Sequence, residues 1–168
     1  QKNVIRDTPW GKMTYLEYKH RIEFNEEQYD YINHYCKEKP MDWSVSVWDM
    51  DSLNFCLKYN LSYIKFPSAM MTNDELLLET AKSKIPIILS TGMSTIEEVD
   101  HAVNLLEKHA SSYAILHTNS SYPAKLEDLN LNVIPYFIER YGCTVGYSGH
   151  EYELTPSVIA VTVGAKII

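Results

Sequence analysis

Apolar residues along this chain follow two alternating rhythms, short continuous runs and longer stretches in which they recur at helical spacing. The runs predict buried strands and the spaced stretches predict amphipathic helices. The segment from Pro86 to Val99 shows both. Ile87, Ile88 and Leu89 lead into Ser90-Thr91-Gly92, after which Ile96, Val99, Val103 and Leu106 fall on one helical face. Ser94 and Glu97 have capping-box spacing, which sets the predicted helix start and leaves first-turn N–H groups facing the strand end. Such a turn can hold an anion. It can equally be an ordinary strand-to-helix turn whose hydroxyls only cap the helix.

The same alternation predicts the remaining elements. Trp43 to Trp48 reads as a strand, followed by a helix capped by Asp51 or Ser52 and running to Lys58. Asp49 and Asp51 are better explained as helix caps than as metal ligands. Ser62 to Ser68 is the next strand, and Thr72 with Glu75 gives a second capping box before Leu76, Leu77 and Ala81. Tyr113 to His117 reads as a strand, Thr118 to Pro123 as a polar loop, and Val133 to Tyr141 as a helix with Pro135 in its first turn. Cys143 to Tyr147 forms a strand, Ser148 to Glu151 a loop, Pro156 opens a helix after Thr155, and Ala165 to Ile168 begins another strand. Ahead of these, Gln1 to Phe24 has no clean period and is predicted to be a long functional loop. Asn25 then caps a helix through Lys37 with Tyr29, Ile32 and Cys36 on one face, stopped by Pro40.

Strands recurring roughly every 20–30 residues between helices are the pattern of parallel βαβ units. A barrel and an open doubly wound sheet both fit, and the lack of a Gly-rich dinucleotide fingerprint after any strand favours the barrel. The predicted fold class is α/β, with a (β/α)8 TIM barrel, which the family resemblance below also implies, carried forward over the doubly wound sheet. With about six strands countable against the eight a barrel needs, the expectation is an incomplete barrel lacking the first strands and the end of the last.

Composition narrows the function. The 168 residues are 45% hydrophobic and 22% charged with a net charge of −7, which argues against a nucleic-acid partner and against an anionic membrane surface. No long apolar span and no signal-peptide pattern over Gln1 to Gly11 is present, so the chain reads as one soluble domain or part of one. Cys36, Cys56 and Cys143 lie far apart without CxxC spacing, which speaks against a disulfide framework or a zinc site and suits a reducing, cytoplasmic setting.

In a barrel the reactive groups stand at the C-terminal ends of the strands. Here those positions hold Lys65 and Ser68, Ser90 and Thr91, His117 to Tyr122, and Ser148 and His150. One cation, several hydroxyls and two imidazoles suit a phosphorylated substrate. Each has a plainer reading: Lys65 as a snorkelling side chain at a strand end, the histidines as satisfied polar residues with no HxH or HxxxH partner. Taken as a set, the substrate site is the better reading.

Read together, Trp10-Gly11, Tyr18-Lys19, Glu23-Phe24, Lys65-Phe66-Pro67-Ser68, Leu89 to Thr95, Ser121-Tyr122-Pro123, Asn130-Leu131, Gly146 to Glu151 and Gly164-Ala165-Lys166 resemble the sialic acid synthase family. That family comprises the N-acetylneuraminate synthases and their bacterial pseudaminic and legionaminic acid relatives, and the resemblance runs the length of the chain. It implies a barrel that condenses phosphoenolpyruvate with an open-chain N-acetylated hexosamine, N-acetylmannosamine being the first choice, to a nine-carbon 2-keto sugar acid, releasing phosphate. Lys65, Ser68, Ser90, Ser120 and Ser148 would hold phosphoenolpyruvate, Tyr122 would face the sugar, and Lys65 and Tyr122 would be the catalytic pair. A divalent ion, Mn2+ or Mg2+, would have His150 as one ligand, while His117 is not implied as one. Thr118-Asn119 replaces the family's common Cys-Thr and reshapes the expected pocket wall.

The resemblance also implies a homodimer and, outside this chain, further barrel strands and a C-terminal antifreeze-like domain. Residues 1–168 would then be the central part of the barrel, inactive alone. Two other readings stand beside it: a barrel that condenses phosphoenolpyruvate with a sugar phosphate to a shorter keto-deoxy acid, and a non-catalytic barrel used for binding or assembly.

Overall fold

A computed structural model describes residues 2–168, and Gln1, the first residue of the predicted N-terminal loop, lies outside them. The chain divides into two units, one ending at Met41 and one beginning at Asp42. In the first, Ile5–Thr8 (β1) and Gly11–Thr14 (β2) form an antiparallel hairpin with Ile5 opposite Thr14 and Thr8 opposite Gly11. Gly11 takes φ +97° at the end of the turn, a conformation that costs glycine little. Thr14 then caps Tyr15–Ile22 (α1) in a reciprocal box with Glu17. The segment expected to be a functional loop is thus a hairpin and a helix, because turn and capping hydrogen bonds organise a stretch with no apolar period. Asn25 caps Glu26–Glu38 (α2) as predicted, with Gln28 completing the box, and Cys36 is its buried residue.

The second unit is built on Met50–Cys56 (α3), Ile64–Phe66 (β3), Asp74–Lys82 (α4), Ile87–Ser90 (β4), Ile96–His109 (α5), Tyr113–Thr118 (β5), Val133–Tyr141 (α6), Thr144–Ser148 (β6) and Thr155–Thr162 (α7). The four strands form one parallel sheet in sequence order, β3-β4-β5-β6. Strict sequential order is what repeated right-handed βαβ crossovers in one direction produce, whereas a doubly wound sheet reverses at its middle. At one edge Ser46 bridges Lys65, with Lys65 N donating to Val45 O at 3.0 Å. At the other, Lys166 N donates to Val145 O and Tyr147 N to Ile167 O, both at 2.9 Å. The segments read as strands at Trp43–Trp48 and Ala165–Ile168 therefore pair with the sheet through these few bonds and form no full strand of their own.

Register sorts the side chains to two faces. Ile64, Phe66, Ile87, Leu89, Ile115, Val145 and Tyr147 share one face and are all essentially inaccessible to water. The helices supply matching buried stripes: Leu76, Leu77 and Ala81 on α4, Val99, Ala102, Val103 and Leu106 on α5, Ile134 and Phe137 on α6. Burying each such Leu or Phe contributes about 1.5–3 kcal/mol, so this layer holds the strands in register. The opposite face carries Lys65, Ile88, Ser90, Leu116, Thr118, Gly146 and Ser148. Gly146 must lack a side chain, because a Cβ there would approach Leu116 Cδ2 at 2.5 Å and Ile167 O at 2.7 Å.

Two predicted caps move by one residue. Thr95 rather than Ser94 is the N-cap of α5, in a box with Glu98, and Asn73 rather than Thr72 caps α4 through Leu76 N. The side chain of Ser94 donates instead to Gly92 O at 3.2 Å. On α3 the cap is Asp49, whose carboxylate accepts from Ser52 N at 2.7 Å, not Asp51 or Ser52. Hydrogen bonds from the Ser52 side chain and then its backbone hold the Asp49 carboxyl below the usual carboxylate range.

Candidate active site at the strand ends

Parallel strands place all their C-terminal ends on one edge, and the side chains ending them define the candidate site. Lys65 lies mid-strand in β3 on the face opposite the helices, and its Nζ donates to Ser90 Oγ at 2.6 Å and to Phe66 O at 3.4 Å. Ser90 ends β4 and is 3% exposed. Burial pushes the Lys65 ammonium down to about 8 from its ordinary value of 10.5, with no carboxylate nearby to oppose the shift. A half-buried cation whose bonds reach a hydroxyl and a carbonyl, and no carboxylate, is electrostatically unsatisfied and suits an incoming anion. Ser148, at the end of β6 and in register with Thr118, lines the same cavity of about 310 Å³ as Lys65, together with Ser46, Leu116 and Ile167.

A second cluster surrounds Gly92, in the turn after β4. Gly92 N donates to Ser68 Oγ at 3.0 Å. A Cβ at Gly92 would collide with Ser120 Oγ and stand 3.1 Å from Ser68 Oγ and 3.2 Å from Thr118 O. Three βα turns thus converge on one point, with two hydroxyls meeting at Gly92 in the turn between β4 and α5. Ser120 also faces a cavity of about 520 Å³ whose walls include Met93, Asn119, Asp128 and Asn130. Asn119, the departure noted in the sequence, fastens that wall: its amide donates to Asp128 O at 3.0 Å and its carbonyl accepts from Ser121 N at 2.9 Å.

The third group is Tyr122 with His150. Their rings lie 5.0 Å apart at 59°, and Tyr122 is 85% exposed. His150 O accepts from Ala124 N at 3.1 Å, while His150 Nδ1 is buried without a hydrogen-bond partner. Neither residue lines the two cavities above. An orphaned buried imidazole nitrogen fits a metal ligand, since such atoms are otherwise paired. Among the described residues no three His, Cys, Asp or Glu side chains gather as a cation site, so His150 would be one ligand of such an ion.

His117 belongs to the helix side. Its Nε2 donates to Leu129 O at 2.6 Å, and its ring packs on Tyr147 at 6.0 Å and Phe137 at 6.5 Å. Burial lowers its pKa, which keeps the ring neutral and the Nε2 proton engaged. Period-two alternation along β5 could have shown this, since His117 and Ser90 occupy opposite faces. Sequence reasoning missed Gly92 as the meeting point of Ser68 and Ser120, for which no local signal exists. It also missed the contact between Tyr147 and Glu151.

A parallel sheet in strict sequence order, with helices on one face and polar groups at the strand ends, is the layout of the α/β barrels. Within that class the chain belongs to the NeuB family, which it matches over residues 1–168. It is 37% identical over 169 residues to the N-acetylneuraminate-9-phosphate synthase of Drosophila melanogaster, covering 99% of this chain and 45% of that protein. It is 29% identical over 152 residues to the N,N'-diacetyllegionaminic acid synthase of Legionella pneumophila, covering 88% of this chain and 43% of that protein. In structure it resembles the N-acetylneuraminic acid synthetase of Leptospira borgpetersenii, with a TM-score of 0.83 and 28% identity over 87% of this chain and 51% of that one. The chain spans about half the length of the curated relatives it matches.

Proposed function

We propose that this chain carries the phosphoenolpyruvate-holding part of an enzyme that condenses phosphoenolpyruvate with an N-acetylated hexosamine to a nine-carbon 2-keto sugar acid, releasing phosphate. The observation that carries the reading is Lys65, a half-buried cation bonded to Ser90 and facing a cavity it shares with Ser148. Family membership supports it, as do the acid-synthase names of the relatives.

In this reaction the methylene carbon of the enol attacks the acceptor aldehyde, water adds to the pyruvyl carbon, and phosphate leaves. Lys65 pairs with the anionic end of phosphoenolpyruvate, where low water access strengthens the attraction. Ser90 holds the ammonium in place, and Ser148 supplies a hydroxyl from the next strand but one. Ser68 and Ser120, gathered at Gly92 in the turn that leads into α5, give further hydroxyl donors. Tyr122 stands exposed beside His150 and would orient the sugar. A divalent ion held in part by His150 would supply Lewis acidity for the aldehyde and for water.

The acceptor belongs to one of two classes. The Drosophila relative is named for a 9-phosphate product, which favours an acceptor already phosphorylated on its terminal hydroxyl over free N-acetylmannosamine. Mass analysis of products formed by protein from the complete gene, given phosphoenolpyruvate, Mn2+ and either sugar, decides the matter. The reading expects a product equal to one acceptor plus the three carbons of a pyruvyl unit. Absence of any such product with every N-acetylated hexosamine supplied, from folded protein, would overturn it.

A further inference from the structure

The loop after β6 contains one contact that neither core packing nor substrate holding uses. Tyr147 is fully buried, and its hydroxyl donates to Glu151 Oε2 at 2.8 Å. The Glu151 carboxylate is folded back against the loop. A Cβ on Gly149 would stand 2.7 and 2.8 Å from the two carboxylate oxygens and 2.8 Å from Tyr147 Cε1, nearer than Cβ atoms come. Residues 147, 149 and 151 therefore interlock, and His150 is held between the last two of them. The far side of His150 is fixed as well, by the bond from Ala124 N to its carbonyl and by the Tyr122 ring. Its Nδ1 stays buried and unpaired, a state that costs free energy and persists only where the surroundings enforce it.

We infer that Glu151 is a positioning residue, clamped by the Tyr147 hydroxyl against Gly149 so that the Ser148–Glu151 loop keeps His150 Nδ1 free of any protein partner, as a ligand for a divalent cation. The inference rests on His150 being a ligand, as proposed above. Glu151 acts through the loop backbone and not as a ligand itself, since one oxygen is taken by Tyr147 and both lie against Gly149. Partners that orient a metal-binding histidine typically change metal affinity by about 10- to 100-fold when removed.

The test is Mn2+ titration followed by electron paramagnetic resonance on protein from the complete gene, with thermal melts as a folding check. Glu151→Ala and Tyr147→Phe are each expected to weaken Mn2+ binding about tenfold. The double variant should be no weaker than either alone, because both remove one clamp. Glu151→Gln keeps an acceptor oxygen for Tyr147 and is expected to bind within about twofold of the unaltered protein. Tyr147→Phe keeps the buried ring and carries the test if Glu151→Ala fails to fold. If Glu151→Gln binds as weakly as Glu151→Ala, the carboxylate is a ligand and the positioning role is overturned. Unchanged binding in Glu151→Ala and Tyr147→Phe, with binding lost in His150→Ala, also overturns it and leaves the metal reading standing. Unchanged binding in His150→Ala overturns the metal reading and the inference with it.

Discussion

Lys65 is the side chain on which the proposed chemistry of this chain can be tested most directly. Burial lowers its pKa to about 8, and phosphoenolpyruvate would bind the ammonium form. Affinity is then full below about pH 8 and falls as pH rises through that value, approaching tenfold per unit once the neutral amine dominates. Calorimetric titration of phosphoenolpyruvate from about pH 6.5 to 9.5 should show this fall, and Lys65→Met should bind weakly at every pH. The same shift acts on folding with the opposite slope. An unfolded lysine keeps its proton to about pH 10.4, so between about 8 and that value the unfolded state binds more protons and this group's contribution to stability rises with pH. Urea melts of Lys65→Met should lack that rise. Gly92 is the other decisive residue. Gly92→Ala forces a methyl against Ser120, Ser68 and the Thr118 carbonyl, and is expected to lower stability by about 1–3 kcal/mol while weakening phosphoenolpyruvate binding, read by urea melts and calorimetry.

At the scale of elements, continuous apolar runs were legible as strands and Ile96, Val99, Val103 and Leu106 as the buried stripe of α5. Such patterns record burial directly. Positions set by single hydrogen bonds were less legible: adjacent Ser94 and Thr95 are each followed three residues on by a glutamate, and only geometry selects Thr95. Thr95→Ala should therefore cost about 1 kcal/mol and Ser94→Ala a few tenths. Leu106→Ala, opening a hole in the helix layer, should cost about 2–5 kcal/mol. Both follow from urea midpoints at constant slope. The hairpin β1–β2 escaped sequence reading because its turn and the Thr14–Glu17 box, not an apolar rhythm, define it. The strand-end residues were legible as a set once the βα alternation was seen. Which of them meet was not, since the Lys65–Ser90 and Ser68–Gly92–Ser120 contacts join positions about 25 residues apart through sheet register.

At the scale of the molecule, a sheet whose strands follow one another in sequence order gathers four βα turns on one edge, which carries the Lys65–Ser90, Ser68–Gly92–Ser120 and Tyr122–His150 groups. Membership of the NeuB family and the strand-end cation together give the central claim, a condensation driven from phosphoenolpyruvate. The most direct measurement is phosphate release from phosphoenolpyruvate by protein from the complete gene with Mn2+, compared with and without an N-acetylated hexosamine or its phosphate, and repeated with His150→Ala. The account predicts release that requires the sugar and falls by at least about 100-fold in the variant. Release independent of any sugar, or no release from folded protein with every acceptor of this class, would contradict it.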